Sequence, residues 1–170
     1  LQQLISVPDN LSKDRANSEK CTAMVSLGRF AAIDIGTVTC RLLIADAFCE
    51  GDTDDKATIR ISNIAKEYAV TNLGEGVDAT RRLKSEAIER VCEVLSGFVR
   101  MIEACSDNEH PICRVSVMST SAARDAQNSS EFVERLAGLG LSLDVIPGSK
   151  EAALSFSGAT IKQAGVPAMV

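Results

Sequence analysis

The stretch "FAAIDIGTVTCRLLIAD" (Phe30 to Asp46) sets two short apolar runs, Phe30 to Ile35 and Arg41 to Ala45, on either side of a tight polar reversal. Runs of this length rich in Ile and Leu fit buried β-strands, so the segment predicts a hairpin that turns at Ile35-Gly36-Thr37-Val38-Thr39. One carboxylate, Asp34, stands where the first strand meets the turn. Glycine lets backbone N–H groups approach a ligand closely, and threonines add hydroxyl donors, which makes Gly36, Thr37 and Thr39 candidates for holding a phosphate. Asp34 would then hold Mg²⁺ or a water bound to it, since Mg²⁺ prefers a few carboxylates together with phosphate oxygens and water. A plain hairpin with a surface aspartate is written with the same letters, and the pattern alone leaves both readings open.

Working outward, Phe48 to Lys56 reads as a polar turn and Thr58 to Ala69 as a third antiparallel strand. Asp78 or Thr80 is placed to cap a helix starting near Ala79, in which Leu83, Ala87, Ile88, Val91, Val94, Leu95, Phe98 and Ile102 recur at three and four residues. Glu86 and Arg90 have the favourable i,i+4 spacing on its outer face. Cys113 to Val117 alternates as a strand, Ser129 to Ala137 fits a short helix, Leu141 to Val145 alternates again, and Ser149 to Gln163 fits a last helix with Ala152, Leu154, Phe156 and Ala159 as packing residues. The final "GVPAMV" resembles the start of another strand. The expected fold class is therefore α/β: a mixed sheet with three N-terminal antiparallel strands and flanking helices. Residues 1–28 read as a flexible N-terminal extension and residues 29–170 as one domain that is cut short at its C-terminal end.

With 170 residues, 45% hydrophobic, the chain can bury a core of ordinary size. Its net charge of −5 argues against a nucleic-acid or membrane-surface binder, because phosphate backbones and anionic lipids reward clustered Lys and Arg. The six cysteines form no C-x-x-C pair, and the single histidine, His110, has no second imidazole with which to share zinc. No apolar run approaches the roughly 20 residues that span a bilayer, and the expected compartment is the cytoplasm, where thiols stay reduced.

Two further motifs carry chemistry. In "VMSTSAARDAQNSSEF" (Val117 to Phe132) a strand runs into Ser119, Thr120 and Ser121, followed by Arg124. Hydroxyls at a strand end and an arginine one turn into a helix can bind phosphoryl oxygens. An N-capped helix with Arg124 paired to Asp125 or Glu131 accounts for the same letters. In "VIPGSKEAALSFSGA" (Val145 to Ala159) a turn leads into a helix whose first turn holds Glu151, a carboxylate able to orient or deprotonate water, or merely to complement the helix dipole. "LGEGVD" (Leu73 to Asp78) lacks the Gly-Lys-Ser/Thr ending of a P-loop and reads as a hinge or loop lip.

The order of "AAIDIGTVTCRLLIAD", "NLGEGVDATRRL", "STSAARDAQN" and "VIPGSKEAALSFSGA" resembles the exopolyphosphatase / guanosine pentaphosphate phosphatase family over about Arg29 to Val170. The resemblance implies a ribonuclease H-like fold of the actin, sugar kinase and Hsp70 ATPase superfamily. It also implies a Mg²⁺-dependent phosphohydrolase acting on inorganic polyphosphate or guanosine pentaphosphate, with its site in a two-domain cleft. By the same resemblance Asp34 to Thr39 is the first phosphate motif, Arg124 lies near the substrate phosphates, and Glu151 is the catalytic glutamate; a glycine-rich second phosphate motif is expected on the strand beginning near Val166. Val38, Lys150 and Ala153 depart from the family's usual residues, which motivates one alternative, a non-catalytic polyphosphate or nucleotide sensor. An actin-like kinase using ATP is the other. A homodimer formed through segments beyond Val170 is left open.

Overall fold

The structure, a computed structural model, describes residues 24–50 and 58–160. Three long strands come first: β1 (Met24–Ile35), β2 (Thr39–Glu50) and β3 (Thr58–Val70). A single helical turn, α1 (Val77–Thr80), precedes the long helix α2 (Ser85–Ala104). Then follow β4 (Ile112–Ser119), α3 (Ser121–Asp125), α4 (Ser129–Ala137), β5 (Leu143–Val145) and α5 (Gly148–Thr160). The sheet order is β3-β2-β1-β4-β5, with β1-β2 and β2-β3 antiparallel and β1-β4 and β4-β5 parallel. This is the expected mixed sheet.

Alternation along the strands explains the layering. Ala31, Ile33 and Ile35 of β1, Leu42 and Ile44 of β2 and Val117 of β4 are buried together with Ile88, Val91, Leu95, Phe98 and Ile102 of α2 and Phe132 and Leu136 of α4. The period of two on the strands and of 3.6 on the helices brings these stripes face to face. Each of the larger of these side chains, Val, Leu, Ile or Phe, contributes about 1.5–3 kcal/mol on leaving water. At the far end Arg29 donates to both Asp46 oxygens (Nε at 2.7 Å, Nη2 at 3.0 Å) and to the Cys105 carbonyl at 2.9 Å, which ties the hairpin to the end of α2. Arg29 holds the Asp46 carboxyl below its usual pKa.

Several expectations change. Strand β1 begins at Met24, inside the segment read as an extension; its register shifts between Ser26 and Gly28, and Gly28 takes φ +108°, a left-handed value at a bulge where glycine is favoured. The long helix begins at Ser85 rather than near Ala79. Arg81 takes φ +54° and closes the turn of α1 onto the Val77 carbonyl, after which the chain runs out of helix to bury Leu83. Asn128 decides this break: its Oδ1 accepts from the Leu83 N–H at 2.8 Å and its Nδ2 donates to the Leu83 carbonyl at 3.1 Å. A distant amide thus takes the backbone groups that a continuous helix would have used internally. Helix α5 leaves Ala152, Phe156 and Ala159 exposed, so of its expected packing residues only Leu154 is part-buried. Residues 1–23, most of the polar turn after Phe48, the last residues of the final helix and the strand expected near Val166 lie outside the described residues.

Candidate active site

The strands end level with one another. Ile35 of β1 is the cross-strand partner of Ser119 of β4, and Ser119 is the partner of Val145 of β5. In the other direction Ile35 pairs with Cys40, and Cys40 with Ala69. A single transverse row, Ala69, Cys40, Ile35, Ser119 and Val145, crosses all five strands. The turn Gly36 to Thr39, the segment Thr120 to Arg124 and the segment Ile146 to Glu151 all leave the sheet just beyond that row. The carboxyl ends of parallel strands are where open α/β sheets bind ligands, because the following turns and helix starts present backbone N–H groups there.

Individual side chains then join the segments. Thr37 Oγ1 lies 2.9 Å from Ser121 Oγ, linking the hairpin turn to α3. The Gly36 N–H donates to the Thr39 carbonyl at 2.9 Å, which folds the turn back on itself. Thr37 is exposed and Thr39 half-buried. Arg124 Nη1 donates to the Ile146 carbonyl at 3.4 Å and lies 3.9 Å from Glu151 Oε2, while its Nε is 3.4 Å from Asp125. Arg124 thereby spans from α3 to the first turn of α5, and both named alternatives for it, an anion ligand and a surface pair with Asp125, share the same side chain. Glu151 is held there by the helix start, where the Lys150 and Glu151 N–H groups donate to the Pro147 carbonyl at 3.0 Å.

Two expected phosphate contacts fare differently. Ser119 is fully buried, and its hydroxyl donates to the Ile35 carbonyl at 2.8 Å. It therefore supports the base of the Gly36 turn from behind and does not face solvent. Thr120 is 7% exposed and lies at the lip of the same edge. Asn128, part of the same motif, is committed to Leu83 as described. Lys150 reaches back to Asp144 at 2.8 Å.

Asp34 sits on the opposite sheet face from the core. Desolvation by the surrounding protein pushes its pKa up; Arg41 opposes that and the Glu151 charge adds to it. Arg41 was not singled out in the sequence, yet it is the direct cross-strand partner of Asp34. The hairpin register was the signal that could have found it, since a residue's partner follows once the turn length is known. Ser121, a hydroxyl of the strand-end motif, gains a role only through its contact with Thr37. A cavity of about 620 Å³ opens on the same face, lined by Ala32, Asp34, Arg41, Leu43, Lys66 and Met118 among others. It borders Asp34, while Thr37, Arg124 and Glu151 lie outside its lining.

The chain is similar to known proteins in sequence and in fold. The chain is 36% identical over 157 residues to Exopolyphosphatase 2 of Mycobacterium tuberculosis, covering 86% of this chain and 45% of that protein. It is 28% identical over 130 residues to the guanosine-5'-triphosphate,3'-diphosphate pyrophosphatase of Photobacterium profundum, covering 76% of this chain and 23% of that protein. The crystal structure of the Aquifex aeolicus member of the Ppx/GppA protein family superposes with a TM-score of 0.63 at 30% identity, covering 83% of this chain and 41% of that one. The chain thus spans less than half the length of these relatives. Its fold is the actin-like fold of this structural neighbour. The sequence profile of the Ppx/GppA phosphatase family matches residues 53–170, and together with these relatives it shows that the chain belongs to the Ppx/GppA phosphatase family.

Proposed function

We propose that this chain supplies the first lobe of a Mg²⁺-dependent phosphohydrolase that removes the terminal phosphate of inorganic polyphosphate or of guanosine pentaphosphate. The observation that carries the reading is the level row Ile35, Ser119 and Val145, which brings three separately read motifs to one edge. The names of the relatives, an exopolyphosphatase and a pyrophosphatase of a guanosine alarmone, point to phosphoanhydride substrates.

In this reading the Gly36 to Thr39 turn holds the terminal phosphate through backbone N–H groups and the Thr37 and Thr39 hydroxyls, with Thr120 at the lip and Ser119 bracing the turn. Glu151 orients the attacking water and takes its proton as the new P–O bond forms and the bridging P–O bond breaks. Arg124, 3.9 Å from Glu151, stabilises the charge that develops on the phosphoryl oxygens. The released chain is one phosphate shorter.

The donor set suits Mg²⁺. Asp34 offers a hard carboxylate oxygen on the exposed face of the sheet edge. Mg²⁺ is commonly bound in this way, by one or two carboxylates with the remaining positions left to phosphate and water. When bound at Asp34, Mg²⁺ would neutralise phosphate charge. The reading expects the protein in the cytoplasm, where thiols stay reduced. Among the described residues no helix is long and apolar enough to cross a membrane.

The test is Glu151→Gln in the full-length protein, assayed for phosphate release from polyphosphate and from guanosine pentaphosphate. Loss of a general base lowers kcat by about 10²–10⁴-fold, with substrate binding retained. Unchanged turnover removes Glu151 from the mechanism. Polyphosphate binding without turnover by the metal-loaded wild-type protein selects the sensor alternative, and transfer of phosphate from ATP to an acceptor selects the kinase.

A further inference from the structure

The segment Thr71 to Gly76 is wrapped around the Thr37–Val38 turn in a way the mechanism above does not use. The Gly74 N–H donates to the Thr37 carbonyl at 2.9 Å, and the Thr71 and Asn72 N–H groups both donate to the Val38 carbonyl, at 2.9 and 3.0 Å. The peptide bonds here are trans, none of the described ones being cis. In a trans peptide the C=O and the following N–H point in opposite directions. Fixing the Thr37 and Val38 carbonyls toward this segment therefore aims the Val38 and Thr39 N–H groups away from it, on the other side of the turn. That orientation is what an anion-binding turn needs.

The segment is itself held on both sides. Thr71 is 1% exposed and Leu73 fully buried, and both anchor it to the core. Arg90 of α2 donates through Nε to the Thr71 carbonyl at 3.0 Å and reaches Glu75 at 3.1 Å, although its spacing had suggested a pair with Glu86; Lys84 meets the other Glu75 oxygen at 2.6 Å. Gly74 lies so close to the turn that a Cβ there would overlap Thr37 Cγ2, while meeting Thr37 Cβ at 3.4 Å and Ala122 Cβ at 3.5 Å, which are ordinary contacts. One methyl group is the obstacle.

We infer that Thr71 to Glu75 is a strap that sets the conformation of the Thr37–Val38 turn, with Gly74 and Arg90 as positioning residues. The functional half of this inference rests on the proposed phosphohydrolase reading; the structural half does not. The loop lip suggested by the glycines of this segment is thus a clamp on the turn.

The test is a cycle of Gly74→Ala and Thr37→Ser in the full-length protein, since serine removes the Cγ2 methyl and keeps the hydroxyl facing Ser121. Two readouts are followed: kcat/KM for polyphosphate, and hydrogen exchange at the Thr71 and Asn72 amides. Gly74→Ala alone lowers kcat/KM about tenfold, mainly through KM, and speeds exchange at both amides about tenfold, as loss of turn-holding hydrogen bonds requires. In the Thr37→Ser background the same change costs less than about twofold in either readout. Equal cost in both backgrounds overturns the inference, as does a Gly74→Ala variant indistinguishable from wild type. Rescue of exchange in a protein that never releases phosphate refutes the phosphohydrolase reading and leaves the strap standing. Should Gly74→Ala not fold, Arg90→Gln speeds exchange at the same two amides, and unchanged exchange there overturns the inference.

Discussion

Replacing Asn128 with alanine tests how the start of the long helix is fixed against the segment that follows β4. Asn128 is 9% exposed and Leu83 4% exposed, and the two Asn128–Leu83 hydrogen bonds are 2.8 and 3.1 Å long. In Asn128→Ala the Leu83 N–H and C=O both lose their partner in a buried setting. Each orphaned group costs about 1–3 kcal/mol, and partial entry of water lowers the sum, so the expected destabilisation is about 2–4 kcal/mol. Urea unfolding at pH 7 reads it as a lower midpoint with an unchanged slope. Asn128→Asp supplies a second reading, because the introduced carboxylate keeps an acceptor for the Leu83 N–H but puts negative charge beside the Leu83 carbonyl and Glu131 Oε2, which is 3.2 Å from the native amide nitrogen. Its cost at pH 7 should match or exceed that of alanine and shrink below about pH 4, where a protonated carboxyl can donate again. A loss under about 1 kcal/mol for alanine, or a pH-independent cost for aspartate, would refute the argument that this amide sets the start of α2.

Other perturbations follow from the same geometry. Ser119→Ala should cost about 1–2 kcal/mol in urea unfolding, since it deletes a buried hydroxyl donor and leaves the Ile35 carbonyl short of a partner; a cost near zero would show that the turn needs no brace. For Asp34 the folded pKa lies above the unfolded value near 3.8, so the folded state binds more protons between the two and stability falls as pH rises through that window. Asp34→Asn should therefore stabilise the protein relative to wild type at neutral pH and, on the proposed metal-binding reading, abolish turnover; a stability difference that stays flat from pH 3 to 7 would contradict the sign. Asp46 behaves oppositely: Arg29 depresses its pKa, so the pair's stabilisation is present above about pH 3.8 and fades as pH falls through the lowered value. Comparing wild type with Asp46→Asn by thermal melts across pH 2 to 6 checks this, the two curves converging in acid.

Most elements were legible in the chain because their signals are local. The apolar run Phe30 to Ile35 and the spacing of Ile88, Val91, Leu95, Phe98 and Ile102 are patterns of near neighbours, and the structure buries Ala31, Ile33 and Ile35 in one core with that helix stripe. The helix Ser129 to Ala137 was bounded correctly by its polar start and following glycines. Where the reading missed, a distant group had intervened. The helix expected from Ala79 is interrupted because Asn128, 45 residues away, takes the Leu83 backbone. Arg90 looks like a partner for Glu86 by spacing, yet it faces a loop that only the packing of α2 brings within reach. Ser119 reads as a strand-end hydroxyl like Thr120 and Ser121, and its direction depends on the pleat of β4 against β1.

By itself, then, the sequence determined the main kinds of element, the core stripe of the long helix and the inward residues of the first hairpin, and the three short motifs carrying carboxylates, hydroxyls and an arginine. Side-chain period and turn chemistry are properties of neighbours along the chain, which is why they can be read there. What only the tertiary structure decided is that those motifs start level along the row Ile35, Ser119 and Val145, that Arg41 lies opposite Asp34, and that the Thr71 to Glu75 strap grips the turn. Those facts depend on strand register and on packing between segments far apart in the chain, where one residue of slip would turn every side chain to the other face.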